Sequence, residues 1–388
     1  MEYKRLSDCA SWGKDRTDNI NYESYISTEN MIKDKGGVTI ASSLPDSKTA
    51  SAYRPNDILL SNIRPYFRKI WYADKNGSCS NDVLVVRANK DIDSKFLYYV
   101  LSDNNFFNYD TVTSKGTKMP RGTQTAIMKY LVPDINIGKQ RKIANILSTY
   151  DNLIENNNKR IRLLEQMAEN LYKEWFVRFR FPGYEDTEFE DGMPRGWVRE
   201  KIGLHYNTCS GGTPSRTHEE YYTEGTIPWV KTGEIKDGII IHTDECITEA
   251  GIKGSSAKLL PQGAVVMAMY GVNIGMLAYL DSEMTCNQAC CVFNDKNEIN
   301  SRHYLFHYLY SIRDYLLLIG FGAAQQNLSQ DLIKKVKIVI PPAELIKEFD
   351  KQKEPLYQTI RALMMQNDKL IKQRDALLPR LMSGKLEV

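Results

Sequence analysis

Residues 139–178 contain neither proline nor glycine and read as one long helix. Apolar side chains recur there every seven residues: Leu147, Ile154, Ile161, Ala168 and Trp175 on one row, Ile143, Tyr150, Leu164 and Leu171 on the other. Asn157 is the polar interruption. A two-row seam this narrow suits a partner helix better than a broad globular core. At 1.5 Å per residue the stretch spans roughly 60 Å, longer than most globular helices.

The end of the same chain supplies a partner. Phe349, Leu356, Leu363, Leu370 and Leu377 keep the seven-residue step, and Ile360, Asn367, Arg374 and Leu381 form a second row. Phe349 stands 206 positions after Ile143, and Leu377 stands 206 after Leu171. Such self-similarity has to be settled before other patterns are read. Pro355 is the misfit, because proline removes a helical hydrogen bond and clashes with the preceding turn. The second helix is expected to start at Pro355 or to kink there.

The stretches between the helices repeat as well. TIPWVKTGEI matches YESYISTENM with Thr232 over Thr28, and LLPQGAVVMAMYG matches YRPNDILLSNIRP with Pro261 over Pro55. Cys286 falls over Cys79, Ser301 over Ser94 and Pro341 over Pro133. Within the first copy, residues 79–88 read as an apolar strand, 94–110 as a helix, 113–124 as a basic loop and 128–133 as a short strand. The expected fold class is α/β (α+β): two pseudo-repeated mixed α/β domains separated by two long helices forming an antiparallel coiled coil. The boundaries are a first domain over 1–135, a central helix over 136–182, a second domain over 183–342 and a distal helix over 343–388. Asn157 and Asn367 then fall mid-seam, where buried asparagines fix register. The aromatic end of the central helix, Trp175, Phe176, Phe179 and Phe181, is expected to dock on the following domain or a partner. The residues expected to form the helix–helix and subunit interface are Ile143, Leu147, Ile154, Asn157, Ile161, Leu164, Leu171, Trp175, Phe176, Ile360, Leu363, Asn367, Leu370 and Leu377.

Lys and Arg number 51 against 48 Asp and Glu, a formal net charge of +3, so any nucleic-acid surface is local rather than global. No apolar run is long enough for a membrane span, and the N-terminus lacks a signal-peptide core, so a cytoplasmic location is expected. Seven scattered cysteines point to reduced thiols. Cys286, Cys290 and Cys291 lack a second metal-type pair and read as small buried side chains in a strand. His303 and His307, four apart, read as part of an amphipathic helix, with no third ligand to make a metal site.

Catalytic signatures are missing. There is no phosphate loop, nucleophile elbow or zinc-protease motif, and SGGTPS at 210–215 lacks the lysine and following helix of a phosphate cradle. What recurs is a pair of polar loops at matching places in both copies. The first holds Asn62, Arg64, Tyr66, Arg68 and Lys69, followed by Lys115, Lys118 and Arg121. The second holds Lys231, Tyr270 and Asn273, followed by Gln325, Gln326 and Asn327. Arg fits guanine edges, Asn and Gln fit adenine edges, and Lys mostly holds phosphates, so these residues are expected to meet DNA.

With these features the chain resembles the specificity subunit of type I restriction–modification systems, the HsdS family, over essentially its whole length. The carriers are the two repeats, the junction LYKEWFVRFRFPG followed by MPRGW, and in the second half GGTPS, IPWVKTGEI, ITEAGI and the NQA of CNQACCVF. The resemblance implies a non-catalytic subunit without cofactor or metal of its own. Each globular domain would be a target-recognition domain reading one half of a bipartite site in double-stranded DNA. The helices would set the spacer and seat two modification (methyltransferase) subunits, which carry S-adenosylmethionine. Restriction/translocase subunits, when present, would carry ATP and Mg. The rival expectation is a two-lobed coiled-coil adaptor that never touches DNA.

Overall fold

The computed structural model describes residues 2–295, 301–320 and 327–387. The chain divides into two compact units: Met1–Glu155 with Asp368–Val388, and Asn156–Asn367.

In the first unit Tyr3–Arg5 pairs antiparallel with Leu131–Pro133. A four-stranded antiparallel sheet follows the order Ala10–Trp12, Val83–Ala88, Ile58–Ser61, Ile70–Tyr72. A second sheet is built around Ala50–Tyr53 and Gly77–Cys79. Ile58–Ser61 is buried along its whole length because both its faces are covered. Alternation along the strand sends Ile58 and Leu60 to the helical core and Leu59 to the second sheet with Val83 and Cys79. The helix expected over 94–110 is two helices, Ser94–Ser102 and Asn104–Thr113. Asp103 separates them by accepting a hydrogen bond from the Asn105 amide at 2.7 Å, a side-chain cap that starts a new helix.

The second unit follows the same order. Val198–Lys201 pairs with Lys337–Ile340. Its five-stranded sheet runs Tyr206–Ser210, Cys290–Asp295, Val265–Ala268, Leu277–Leu280, Gly238–Ile240, the last pair parallel. Val265 and Met267 face one core, Val266 and Ala268 the other, as in the first unit. Helices Arg302–Ser311, Arg313–Gly320 and Gln330–Lys335 follow. The caps of the first helix in each copy, Asp93 and Ser301, correspond to each other, so the Ser301-over-Ser94 match shifts by one residue. SGGTPS follows the strand Tyr206–Ser210 as a loop, and a Cβ on Gly211 would meet the Cys286 carbonyl oxygen at 1.8 Å. Cys286, Cys290 and Cys291 are buried on strands, and burial pushes the Cys291 thiol far above its usual range.

The central helix spans Ile137–Tyr172 and continues through a wider turn at Lys173–Val177. The distal helix spans Ala343–Met382, so Pro355 lies inside it and does not start it. The boundary between units cuts both helices, and within each unit the two segments run antiparallel. In the first, Asp151 pairs with Arg374 at 2.6 Å, while Ile143 and Leu147 share a core with Leu378 and Leu381. In the second, Asn157 meets Asn367 and Phe176 meets Phe349 at 5.0 Å between ring centroids. Phe176, Phe179 and Phe181 all pack around Trp197, which places the aromatic end of the helix in the second unit's own core.

Candidate nucleic-acid interface

In the first unit Ile58–Ser61 and Ile70–Tyr72 form a hairpin whose loop, 62–69, carries five of the expected contacts. Arg64 and Arg68 both take the left-handed conformation at φ 51° and bracket a single tight turn, Pro65–Phe67. Non-glycine residues adopt that region at a cost, so the loop is held by its surroundings. The Arg64 amide donates to the Pro120 carbonyl at 2.8 Å and Gly122 donates to the Asn62 carbonyl at 3.0 Å. Lys115 and Arg121 exchange backbone hydrogen bonds at 2.9 Å. All eight expected residues of the first copy thus gather on one loop pair.

Their side chains are not equally free. Arg68 is ion-paired with Asp34, Arg121 with Asp82 at 3.1 Å, and the Lys69 ammonium donates to the Thr28 carbonyl at 2.6 Å. Tyr66 is half exposed, and Lys115 and Lys118 point to solvent without an ion pair among the described residues. Arg64 lies 5.9 Å from the Phe67 ring, its Nε buried without a partner. Beneath the loop sits Asp110, fully buried, with neither carboxylate oxygen hydrogen-bonded. Burial alone pushes its carboxyl up to about 7. Gly122 is required beside it, since a Cβ there would lie 2.5 Å from Asp110 Oδ1. The pattern reading missed Asp110, although its place on the apolar face of Phe106 and Phe107 was a signal.

The second unit repeats the hairpin with Val265–Ala268 and Leu277–Leu280. Leu328 donates to the Met269 carbonyl at 3.1 Å, which brings the segment of Asn327 against the loop as Gly122 does in the first copy. Asn273, expected as a base reader, turns inward: its amide nitrogen donates to the carbonyls of Thr232, Gly233 and Ile235 at 3.0–3.2 Å. Two amide hydrogens are thereby shared among three acceptors, so the side chain braces the loop. Lys231 is bound to Glu245 at 2.7 Å, and Arg216 holds the same carboxylate. Both keep Glu245 below the usual carboxylate range, Lys231 first. At the tip Tyr270 is 37% and Val272 96% exposed, and Val272 was not singled out from the sequence. Asn327 is exposed, whereas Gln325 and Gln326 lie outside the described residues.

The helix seam is divided as the units are. Ile143, Leu147 and Leu377 pack in the first unit. Ile161, Leu164, Leu171, Trp175, Phe176 and Ile360 pack in the second. Leu363 is buried, and Ile154 and Leu370 are half-buried. Asn157 and Asn367 are buried and hydrogen-bonded at 2.9 Å, with Asn158 and Gln366 taking further bonds. Outward on the central helix, Leu153 in the first unit and Leu163 and Met167 in the second stay exposed.

Two hairpin-and-loop surfaces in matching places of a duplicated fold call for comparison with known proteins. The model of the type I restriction modification DNA specificity domain matches twice, at residues 9–166 and 201–369. The chain belongs to this family. The MjaIX specificity subunit of Methanocaldococcus jannaschii is 28% identical over 305 residues, 76% of this chain and 69% of that protein. The HindI specificity subunit of Haemophilus influenzae is 23% identical, covering 93% of this chain and 94% of that one. The S subunit of the type I system of M. genitalium shares the fold, with a TM-score of 0.59 and 16% identity over 98% of this chain and 96% of that one. Family membership makes this a DNA-recognition chain, and the adaptor reading is not favoured. Among the described residues no helix is long and apolar enough to cross a membrane.

Proposed function

We propose that this chain is the non-catalytic reading subunit of a type I restriction–modification complex, each unit recognising one half of a bipartite DNA site. The observation that carries this is the repeated braced hairpin, one loop presenting Lys115, Lys118 and Tyr66, the other Tyr270, Val272 and Asn327. Lysines there hold phosphates and position the duplex, while the tip side chains and amides reach base edges. The long helices set the distance between half-sites. Their exposed apolar residues, Leu153, Leu163 and Met167, seat two modification subunits. S-adenosylmethionine belongs to those subunits, and ATP and Mg to restriction subunits where they join. The chain works where the chromosome is, in the cytoplasm.

Methylome sequencing of a host carrying this chain with its methyltransferase partner tests the reading. A split motif is expected. Exchange of residues 1–135 for another first domain then changes one half-site and leaves the other. A heptad inserted in each long helix beside Asn157 and Asn367 lengthens the unread spacer alone. Methylation of random sequence, or a change in both half-sites on the exchange, would sink the proposal.

A further inference from the structure

The second unit holds an open-mouthed cavity of about 510 Å³ between its recognition domain and its own segments of the two long helices. That volume is in the range of small-molecule sites. Two polar side chains stand buried on its wall, His307 with an unpartnered ring nitrogen and Lys353 with no ion pair among the described residues. Lys353 is 4% exposed and makes no hydrogen bond or ion pair among the described residues. His307 is 6% exposed, and its Nε2 has no hydrogen-bond partner. Burial, assisted by Lys353, keeps that imidazole well below its ordinary range and therefore neutral. Burial also lowers the Lys353 ammonium to about 8, with Glu165 and Glu354 opposing the shift. A buried cation with no salt bridge among the described residues, its charge offset only at a distance by Glu165 and Glu354, is a costly arrangement.

The first unit shows that the fold does not demand it. By the helix register, Lys353 stands where Leu147 stands, and Leu147 is fully buried in the first core. Counted from the caps Asp93 and Ser301, His307 stands where Tyr99 stands. Tyr99 is satisfied by Asp151, which Arg374 also holds. Asp151 and Arg374 correspond to Tyr357 and Ala168 in the second unit. The exchange removes the Asp151–Arg374 ion pair from the junction and sets an aromatic ring, Tyr357, in place of the acid.

The sign of the missing ligand follows from the charges around the cavity. Asp237 is gripped by Arg313, and Glu169 by Lys173 at 2.5 Å. Glu165 remains, exposed on the central helix. Facing it are Lys353, Arg162 and Lys236, which make no ion pair among the described residues. The surplus is positive. The rest of the wall is aromatic: Tyr279 stacks on Phe306 at 4.4 Å, Tyr357 meets Tyr279 at 5.1 Å, and Tyr310 stands partly exposed.

We propose that this cavity binds a small organic anion with a planar ring, its anionic group on Lys353 and its ring on the tyrosine wall. The inference stands apart from the DNA-reading role and survives the failure of that reading. The test is calorimetric titration of the full chain with benzoate and with AMP, using inorganic phosphate as the ring-free control. At least one ring-bearing anion is expected to bind one-to-one, at least about tenfold tighter than phosphate. Benzoate against AMP distinguishes a carboxylate from a phosphate head. Lys353→Leu, the side chain the other unit carries, is expected to keep the fold and weaken binding by about tenfold or more. Tyr310→Ala, at a partly exposed position, keeps the protein folded and weakens the ring-bearing anion but not phosphate. No binding of either ring-bearing anion would overturn the proposal. Phosphate binding as tightly as they do, or unchanged affinity in Lys353→Leu, would do the same.

Discussion

The two units fold one chain path twice and fill it differently. Beneath its hairpin loop the first unit buries an unpaired acid, Asp110, and closes its helix junction with Leu147 and a Tyr99–Asp151–Arg374 network. The second braces its loop with the neutral amide of Asn273 and places Lys353, His303 and His307 at the junction. The hairpin, the helix caps and the helix register are common to both, and polar content is not. The difference teaches that strands, caps and helix register specify the scaffold, while buried charges are local additions that each copy carries independently.

The largest test of that independence is a cavity in each core. Phe176→Ala should destabilise the second unit by about 3–5 kcal/mol, and Leu381→Ala the first by about 2–5 kcal/mol. Hydrogen exchange resolved by segment should show each loss confined to its own unit. Equal loosening of both would break the comparison. Acidity should then move the units in opposite senses. Asp110, raised to about 7 from about 3.9 unfolded, keeps in the fold a proton the unfolded chain releases, so the first unit weakens as pH rises from about 4 to 7. His303, lowered to about 4 from about 6.5 by burial, refuses a proton that the unfolded chain takes, so the second unit weakens as pH falls through that window. Each swing is on the order of 3 kcal/mol, since one pKa unit is about 1.4 kcal/mol. Asp110→Asn should flatten the first profile and His303→Gln should make the second shallower, with His307 supplying the remainder, read by denaturant unfolding of each segment at pH 5 and 7.

Smaller effects sharpen the picture. Asn367→Leu leaves the Asn157 amide short of a partner and should cost about 1–3 kcal/mol. Adding Asn157→Leu should recover part of that loss while loosening helix register. A double substitution costing the sum of the singles would show that the two side chains do not act as a pair. At the surface Lys118→Ala should leave stability unchanged and reduce the salt dependence of DNA binding by about one counterion. Arg121→Ala should do less, because Asp82 already holds that guanidinium.

The helices and the duplication were legible because seven-residue and two-residue periods are written directly in the order of residues. The hairpin loops were legible as places, since hairpin turns sit between alternating strands. Their side chains were not: Asn273 turns inward because three carbonyls of a distant segment lie within its reach, and no local pattern records that. Lys353 was hidden by the heptad itself. Against the sheet domain the distal helix presents Phe349, Lys353, Tyr357 and Ile360, a globular face spaced by fours and threes that departs from the seam of leucines. Asp103 ends one helix and starts the next through a single hydrogen bond, too small a cue to separate from a continuous run.

The division of the helices between units also fixes an order of events during synthesis. The second unit is one uninterrupted stretch, 156–367, whereas the first needs residues 368–388 to seat Leu378, Leu381 and Met382 in its core. On the ribosome the unit begun first is therefore completed last. Until those residues emerge, its half of the seam stands open to solvent, to chaperones and to any other apolar helix nearby.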